Sequence, residues 1–159
     1  MPFAVVVEKD WDVRITAVEM VPEILALAVE NSKGQDRLQI IGRDVLTEPP
    51  GGSYDYVIAS LFLHHIPPAS QAKTLKRLDG MARRGMILSD LERSQSGYWS
   101  VTALSRLIGN RIVRNDGPLS VRRAFRPKEL QSLAAEAGLP YLKASREPFF
   151  RMSLAGEKP

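Results

Sequence analysis

Apolar runs alternate with amphipathic patterns along the first half of the chain. Residues 13–18 are rich in β-branched side chains and predict a strand, and the pattern that follows Pro22 predicts a helix ending near Gly34. Residues 37–42 and 56–63 predict two more strands, the second apolar enough to be buried on both faces. Strands separated by helices in this way favour a parallel sheet.

The alternation continues for one more unit. Pro67 and Pro68 begin a predicted helix that runs through Arg84. Gly85 is expected to end that helix, and the segment MILSDL predicts a fourth strand with Asp90 at its carboxyl end.

Residues 91–125 depart from the pattern, because they are too many and too charged for a minimal connection. We interpret them as an insertion over the active-site face, with a helical stretch around GYWSVTALSRLIGN and a basic segment, RIVRNDGPLSVRRAF. The segment from Pro127 to Gly138 predicts a helix, and YLKASRE with FFRMSLAGEK predicts an antiparallel hairpin at the sheet edge. We expect residues 1–159 to form one domain.

Composition narrows the class of protein only modestly. A chain of 159 residues with 44% hydrophobic content can build its own core. The absence of cysteine excludes disulfides and thiolate metal sites and favours a cytoplasmic location, and we predict no metal. No apolar run approaches the roughly 20 residues that span a bilayer, so no membrane partner is predicted. The net charge of +4 is too small to indicate a nucleic-acid partner. Aromatic residues also do not alternate with the arginines, as stacking on bases would require, so no nucleic-acid partner is predicted.

Several motifs in order carry a resemblance to a known family. The chain resembles the class I S-adenosylmethionine-dependent methyltransferases in the segments RITAVEMVPEILALA, IIGRDVLTEPPGGSYDYVIASLFLHHIPP and GMILSDL. The likeness is greatest to the small-molecule group, which has a Leu-His-His after the fourth strand of the family's sheet, the strand that corresponds to the third one predicted here. The likeness extends over nearly the whole chain. It implies a Rossmann-like α/β fold with a doubly wound, mostly parallel sheet and a C-terminal antiparallel hairpin. It also implies methyl transfer from S-adenosylmethionine to a small-molecule acceptor.

The resemblance assigns a cofactor-binding role to two acidic residues. Glu19 would accept hydrogen bonds from the ribose hydroxyls, which suits a carboxylate, and Asp44 would accept one from the adenine amino group. An acidic residue after a strand is also often a solvated side chain or a helix cap, and this alternative stays open. The other cofactor contacts that the resemblance implies are Met20, Val45, Ser60 and Leu61.

His64 and His65 are the only histidines, and they follow the predicted third strand, where ligand sites form in such sheets. A neutral imidazole, with an ordinary pKa of about 6.5, suits a general base. We predict a structural role for His64 and take His65 as the candidate base, with packing as the alternative. Arg122 and Arg123 are the candidates for contact with an anionic group of the acceptor.

The family's glycine-rich loop does not precede Glu19. Residues 3–7 are strand-like, but too few residues separate them from the next strand for a parallel crossover of about a dozen. We therefore interpret residues 4–11 as the end of the first helix. The missing strand lies at the centre of the family's sheet, so its absence predicts two open edges, filled by residues 3–7 or by a partner chain in a homo-oligomer.

Two alternatives follow from the missing loop. The chain is either an active methyltransferase or a catalytically inactive relic that serves as a binding or oligomerisation module, and it is also consistent with an incomplete product of a longer gene. A nucleotide-binding oxidoreductase fragment is a third, less attractive interpretation, because of the histidine pair and the strand-paired tail.

Overall fold

A computed structural model describes residues 12–108 and 111–159, which belong to two compact units. The first unit ends at Gly52, and the second comprises Ser53–Pro159. The predictions for residues 3–7 and 4–11 lie outside the described part of the chain. The expectation of one domain stays a prediction, and each unit is described by itself.

The first unit is a strand–helix–strand unit. Strand β1 (Ile15–Glu19) pairs in parallel with β2 (Leu38–Gly42), and helix α1 (Pro22–Asn31) joins them. Pro22 occupies the first turn of α1, where a missing N–H costs nothing, and Gly34 adopts a positive φ of 83° after the helix. These boundaries confirm the predicted order.

The second unit has a four-stranded sheet in the order β3-β4-β6-β5. Strands β3 (Tyr54–Ser60) and β4 (Ala82–Leu91) are parallel, while β6 (Arg151–Glu157) is antiparallel to both β4 and β5 (Lys143–Glu147). The predicted C-terminal hairpin is therefore confirmed. Because strand pairing divides the described residues into two sheets, the sheet is not the continuous one that the family pattern predicts.

Gly85 has a different role from the predicted one. Helix α2 (Pro68–Met81) ends before it, and Gly85 lies inside β4. A Cβ atom on Gly85 would lie 2.3 Å from the carbonyl oxygen of Gly156 on β6. Glycine is needed here for the close approach of two strands, which is why it was mistaken for a helix terminator.

The predicted insertion is helical throughout most of its length. Helix α3 (Gln95–Ile108) is followed by α4 (Arg111–Arg123), so the basic segment forms a helix with Pro118 inside it. The two helices pack against each other, and α4 also contacts a short 3₁₀ turn, Leu63–His65. Helix α5 (Pro127–Glu136) begins with a capping box between Arg126 and Glu129.

The core of the second unit lies on the side of the sheet that α2 and α5 cover. These helices pack on each other, α2 contacts β4, and α5 contacts β5 and β6. Apart from Leu63 in the 3₁₀ turn, its largest fully buried side chains come from these elements and their connections: Leu75, Met86, Leu130, Leu142, Met152 and Leu154. By contrast, Ile58 on β3 is 70% exposed, and Ile87, its partner on β4, is 42% exposed. Among the described strands, β3 is at one edge of this sheet.

Within the described ranges, no helix is long and apolar enough to cross a membrane. In the same ranges, no group of histidine, aspartate and glutamate side chains could hold a metal ion.

Candidate functional site

Glu19 and Asp44 lie at the same end of the two-stranded sheet in the first unit, where both strands finish. Glu19 is the last residue of β1 and is paired with Gly42, the last residue of β2, and Asp44 follows two residues later. The structure therefore brings together the two acidic residues that were predicted to bind the cofactor. The carboxyl edge of parallel strands is where α/β sheets bind ligands.

Both carboxylates make local hydrogen bonds. Glu19 Oε1 accepts one from the Val21 N–H at 2.8 Å. Asp44 accepts from the Leu46 N–H at 2.8 Å and from the Thr47 hydroxyl at 3.1 Å, which stabilises the turn after β2. A carboxylate has about four acceptor positions, so these contacts leave capacity for a ligand.

Two apolar side chains adjoin these acids in sequence. Met20 is 64% exposed, and Val45 is half-buried. Acidic acceptors beside apolar side chains match the chemistry of a nucleoside, which has hydroxyl and amino donors on an apolar ring. The residues present thus fit the adenosine part of S-adenosylmethionine.

In the second unit, Ser60 and Leu61 lie where β3 ends. The Leu61 N–H donates to the Ser89 carbonyl on β4 at 2.8 Å, and Leu61 has a positive φ of 52°. Such a conformation is costly for leucine and is typical of functional turns. Arg151 Nη2 donates to the hydroxyl oxygens of Ser60 at 3.1 Å and Ser89 at 2.7 Å, and so joins the ends of the two parallel strands.

His64 is buried and forms a pair with Asp90. Its Nδ1 lies 2.5 Å from Asp90 Oδ1, its backbone N–H donates to Asp90 Oδ2 at 3.1 Å, and only 5% of the residue is exposed. Asp90 Oδ1 also accepts from the Leu91 N–H at 2.8 Å. The carboxylate thus fixes the turn that follows β3 against the end of β4. A packing role for His64 agrees with this geometry.

His65 is exposed beside this pair. Its ring lies 3.9 Å from the His64 ring, centroid to centroid. Burial lowers the pKa of His65 below its ordinary value, the charge of His64 and that of Arg123 act in the same direction, and Asp90 and Asp116 oppose them. The lowered pKa favours a neutral imidazole near pH 7, which can accept a proton.

The two predicted acceptor contacts are divided between two surface grooves. Arg122 lines a groove between α3 and α4, whereas Arg123 lines another with residues of α2 and α5. Consecutive residues project about 100° apart on an α-helix, which explains the division. Arg123 is the member of the pair whose charge acts on His65.

Sequence reasoning missed the partners of the candidate residues. Asp90 was identified only as the end of a strand, although its position beside the end of the neighbouring parallel strand could have suggested a contact with His64. Arg151 and Asp116 carried no such signal, because their positions depend on β6 and α4 packing.

Among the comparisons with known proteins, those with solved structures identify the fold. Family models and curated protein sequences give no match. Among solved structures, magnesium protoporphyrin IX methyltransferase from Synechocystis PCC 6803 with bound S-adenosylhomocysteine matches with a TM-score of 0.63 and 14% identity, covering 92% of this chain and 64% of that one. A methyltransferase from Aquifex aeolicus gives a TM-score of 0.61 at 14% identity, covering 91% and 68%. PigF with S-adenosylhomocysteine gives 0.64 at 19% identity, covering 91% and 43%.

The chain has the Rossmann-like fold of class I S-adenosylmethionine-dependent methyltransferases, as its motifs predicted. It spans less than two thirds of the length of the magnesium protoporphyrin IX methyltransferase and less than half that of PigF.

Proposed function

We propose that this chain is an S-adenosylmethionine-dependent methyltransferase that acts on a small molecule. The observation that carries the proposal is the pair of acidic side chains, Glu19 and Asp44, at the carboxyl ends of two adjacent parallel strands in a chain with this fold. In such sheets the carboxyl ends of the strands bind nucleotide-like ligands. The bound S-adenosylhomocysteine of two structural neighbours supports the choice of cofactor.

Six residues are proposed to hold the cofactor. Glu19 accepts hydrogen bonds from the ribose hydroxyls and Asp44 accepts one from the adenine amino group, because carboxylates have several acceptor positions. When bound, S-adenosylmethionine supplies an electrophilic methyl group on a positively charged sulfur. Met20 and Val45 are assigned to the adenosine part, and Ser60 and Leu61 to the methionine part.

His65 is proposed as the general base. Its lowered pKa keeps the imidazole neutral, so a ring nitrogen can take the proton of an acceptor hydroxyl when the methyl group is transferred. Arg123 contributes a positive charge near this histidine, which would attract an anionic acceptor. The contact between α4 and the turn that carries His65 supports the role of residues 91–125 as a cover for this site.

Location and assembly complete the proposal. The absence of cysteine supports a reducing, cytoplasmic compartment. The exposed side chain of Ile58 on β3, which is at one edge of the second sheet among the described strands, supports self-association along that edge.

Transfer of a labelled methyl group tests the proposed activity. The purified chain is incubated with methyl-labelled S-adenosylmethionine and a panel of small hydroxylated acids. We expect product, with a rate that falls only at a pH below the ordinary histidine pKa of about 6.5, because the pKa of His65 is lowered and the protonated imidazole cannot act as a base.

His65→Gln is the variant that tests the base. We expect transfer to slow by about 100-fold and the loss of rate at acidic pH to disappear. Lys76→Gln, an exposed change on α2, should behave like the unmodified chain. If His65→Gln kept the full rate and the same pH profile, the role of His65 would be refuted. Cofactor binding without product from any acceptor would favour the binding-module alternative.

A further inference from the structure

Helices α3 and α4 form a groove of about 480 Å³ that the proposed transfer reaction does not use. Tyr98, Thr102 and Arg106 line it from α3, and Arg114, Pro118 and Arg122 line it from α4. Gly117 sets the close contact between the helices, since a Cβ atom there would lie 3.0 Å from Val101 Cγ1 and 3.9 Å from Ser105 Cβ. Because α3 and α4 pack on each other and only two residues separate them in sequence, α4 runs back along α3.

The groove has a strong excess of positive charge. Three guanidinium groups line it, those of Arg106, Arg114 and Arg122, and no carboxylate does. Among residues 12–108 and 111–159, none of the three forms a salt bridge.

Some arginines of the second unit are paired with acids, unlike the three that share this groove. Arg83 pairs with Asp55 at 2.9 Å, and Arg146 pairs with Glu92 at 2.8 Å. Like-charged side chains that share a groove without an acid repel one another, so an anion would stabilise them. The pattern therefore indicates a binding surface for negative charge rather than an ordinary solvated face.

The charges occupy two ends of the groove. Arg114 and Arg122 are eight positions apart in α4, which places their backbones about 12 Å apart along the helix axis. Because α4 runs back along α3, Arg106 lies near the Arg114 end, close to the connection between the helices. Pro118 lies between the two arginines of α4 and gives the middle of the groove an apolar surface.

We propose that this groove binds a small molecule with two anionic groups, carboxylate or phosphate, joined by an apolar body. Arginine forks at each end bind the anionic groups, and the apolar middle packs on Pro118 and Leu119. The site is distinct from the proposed base, because Arg123 and Asp116, whose charges act on His65, do not line it.

Isothermal titration without S-adenosylmethionine tests the groove independently of methyl transfer. The probes are sebacate, a long dicarboxylate; succinate, a short dicarboxylate; nonanoate, a long monoanion; and a bisphosphonate with one phosphonate at each end of a chain as long as that of sebacate. We expect sebacate or the bisphosphonate to bind at least tenfold more tightly than succinate and nonanoate, and the tighter of the two identifies the preferred anion. Added salt should weaken this binding.

Matched variants locate the site. Arg114→Gln and Arg122→Gln should each weaken binding of the better long probe about tenfold, whereas Arg83→Gln should leave it unchanged. Arg114→Lys, which keeps the charge without the fork, should give a smaller loss. The proposal is overturned if the long and short probes bind equally, or if Arg83→Gln weakens binding as much as the groove variants do. All these side chains are exposed, and a thermal unfolding scan confirms that each variant is folded.

Discussion

Two consecutive histidines have opposite environments in this chain. His64 is buried against Asp90, while His65 is exposed beside α4. Sequence reasoning predicted a structural role for His64 and took His65 as the candidate base, with packing as the alternative. It could not identify Asp90 as the partner, since that contact depends on the register of two strands that are far apart in sequence.

Asp90→Ala tests the structural role of the buried pair. Removing the carboxylate leaves the buried His64 ring and the His64 and Leu91 N–H groups without their acceptor, so the free energy of unfolding should fall by about 3 kcal/mol. Asp55→Ala removes an exposed salt bridge with Arg83 and should cost less than about 1 kcal/mol. Denaturant titration measures both. Equal losses for the two variants would show that Asp90 does not hold the turn.

At the scale of elements, prediction succeeded where local pattern decides the structure. Prolines at the first turns of α1, α2 and α5 marked their starts, and alternation marked the C-terminal hairpin. The prediction for Gly85 was wrong, because the sequence alone does not distinguish a glycine that allows two strands to approach closely from one that ends a helix. It also did not identify α4 as a helix, since Gly117 and Pro118 oppose helix formation locally and packing on α3 overrides them.

Two glycine substitutions separate these roles. Gly85→Ala places a Cβ atom against the Gly156 carbonyl, so the strands must shift and the free energy of unfolding should fall by about 2 kcal/mol. Gly80→Ala, in α2, meets no atom within 4 Å and should raise it by about 0.5 to 1 kcal/mol through helix propensity. Denaturant titration distinguishes the two. A neutral Gly85→Ala would mean that β4 and β6 do not approach closely at this position.

At the scale of the whole molecule, the order of strands and helices was predictable because hydrophobic periodicity and family-like motifs agree along the chain. The strands of the described residues form two sheets, a division that hydrophobic periodicity along the chain does not reveal. The candidate site was predictable in part: Glu19 and Asp44 lie together at one edge, whereas Arg122 and Arg123 line separate grooves. Side chains on a helix whose formation was not predicted could not be assigned to a surface.

Calorimetric titration with S-adenosylmethionine and S-adenosylhomocysteine measures whether this chain binds the proposed cofactor. We expect the purified chain to bind with a Kd of roughly micromolar. Glu19→Gln should weaken binding about tenfold, because the amide keeps an acceptor for the Val21 N–H but lacks the charge that binds the ribose hydroxyls. Glu23→Gln, an exposed acid in the first turn of α1, should bind like the unmodified chain. No binding at millimolar cofactor, or equal affinity in Glu19→Gln and the unmodified chain, would contradict the proposed cofactor binding.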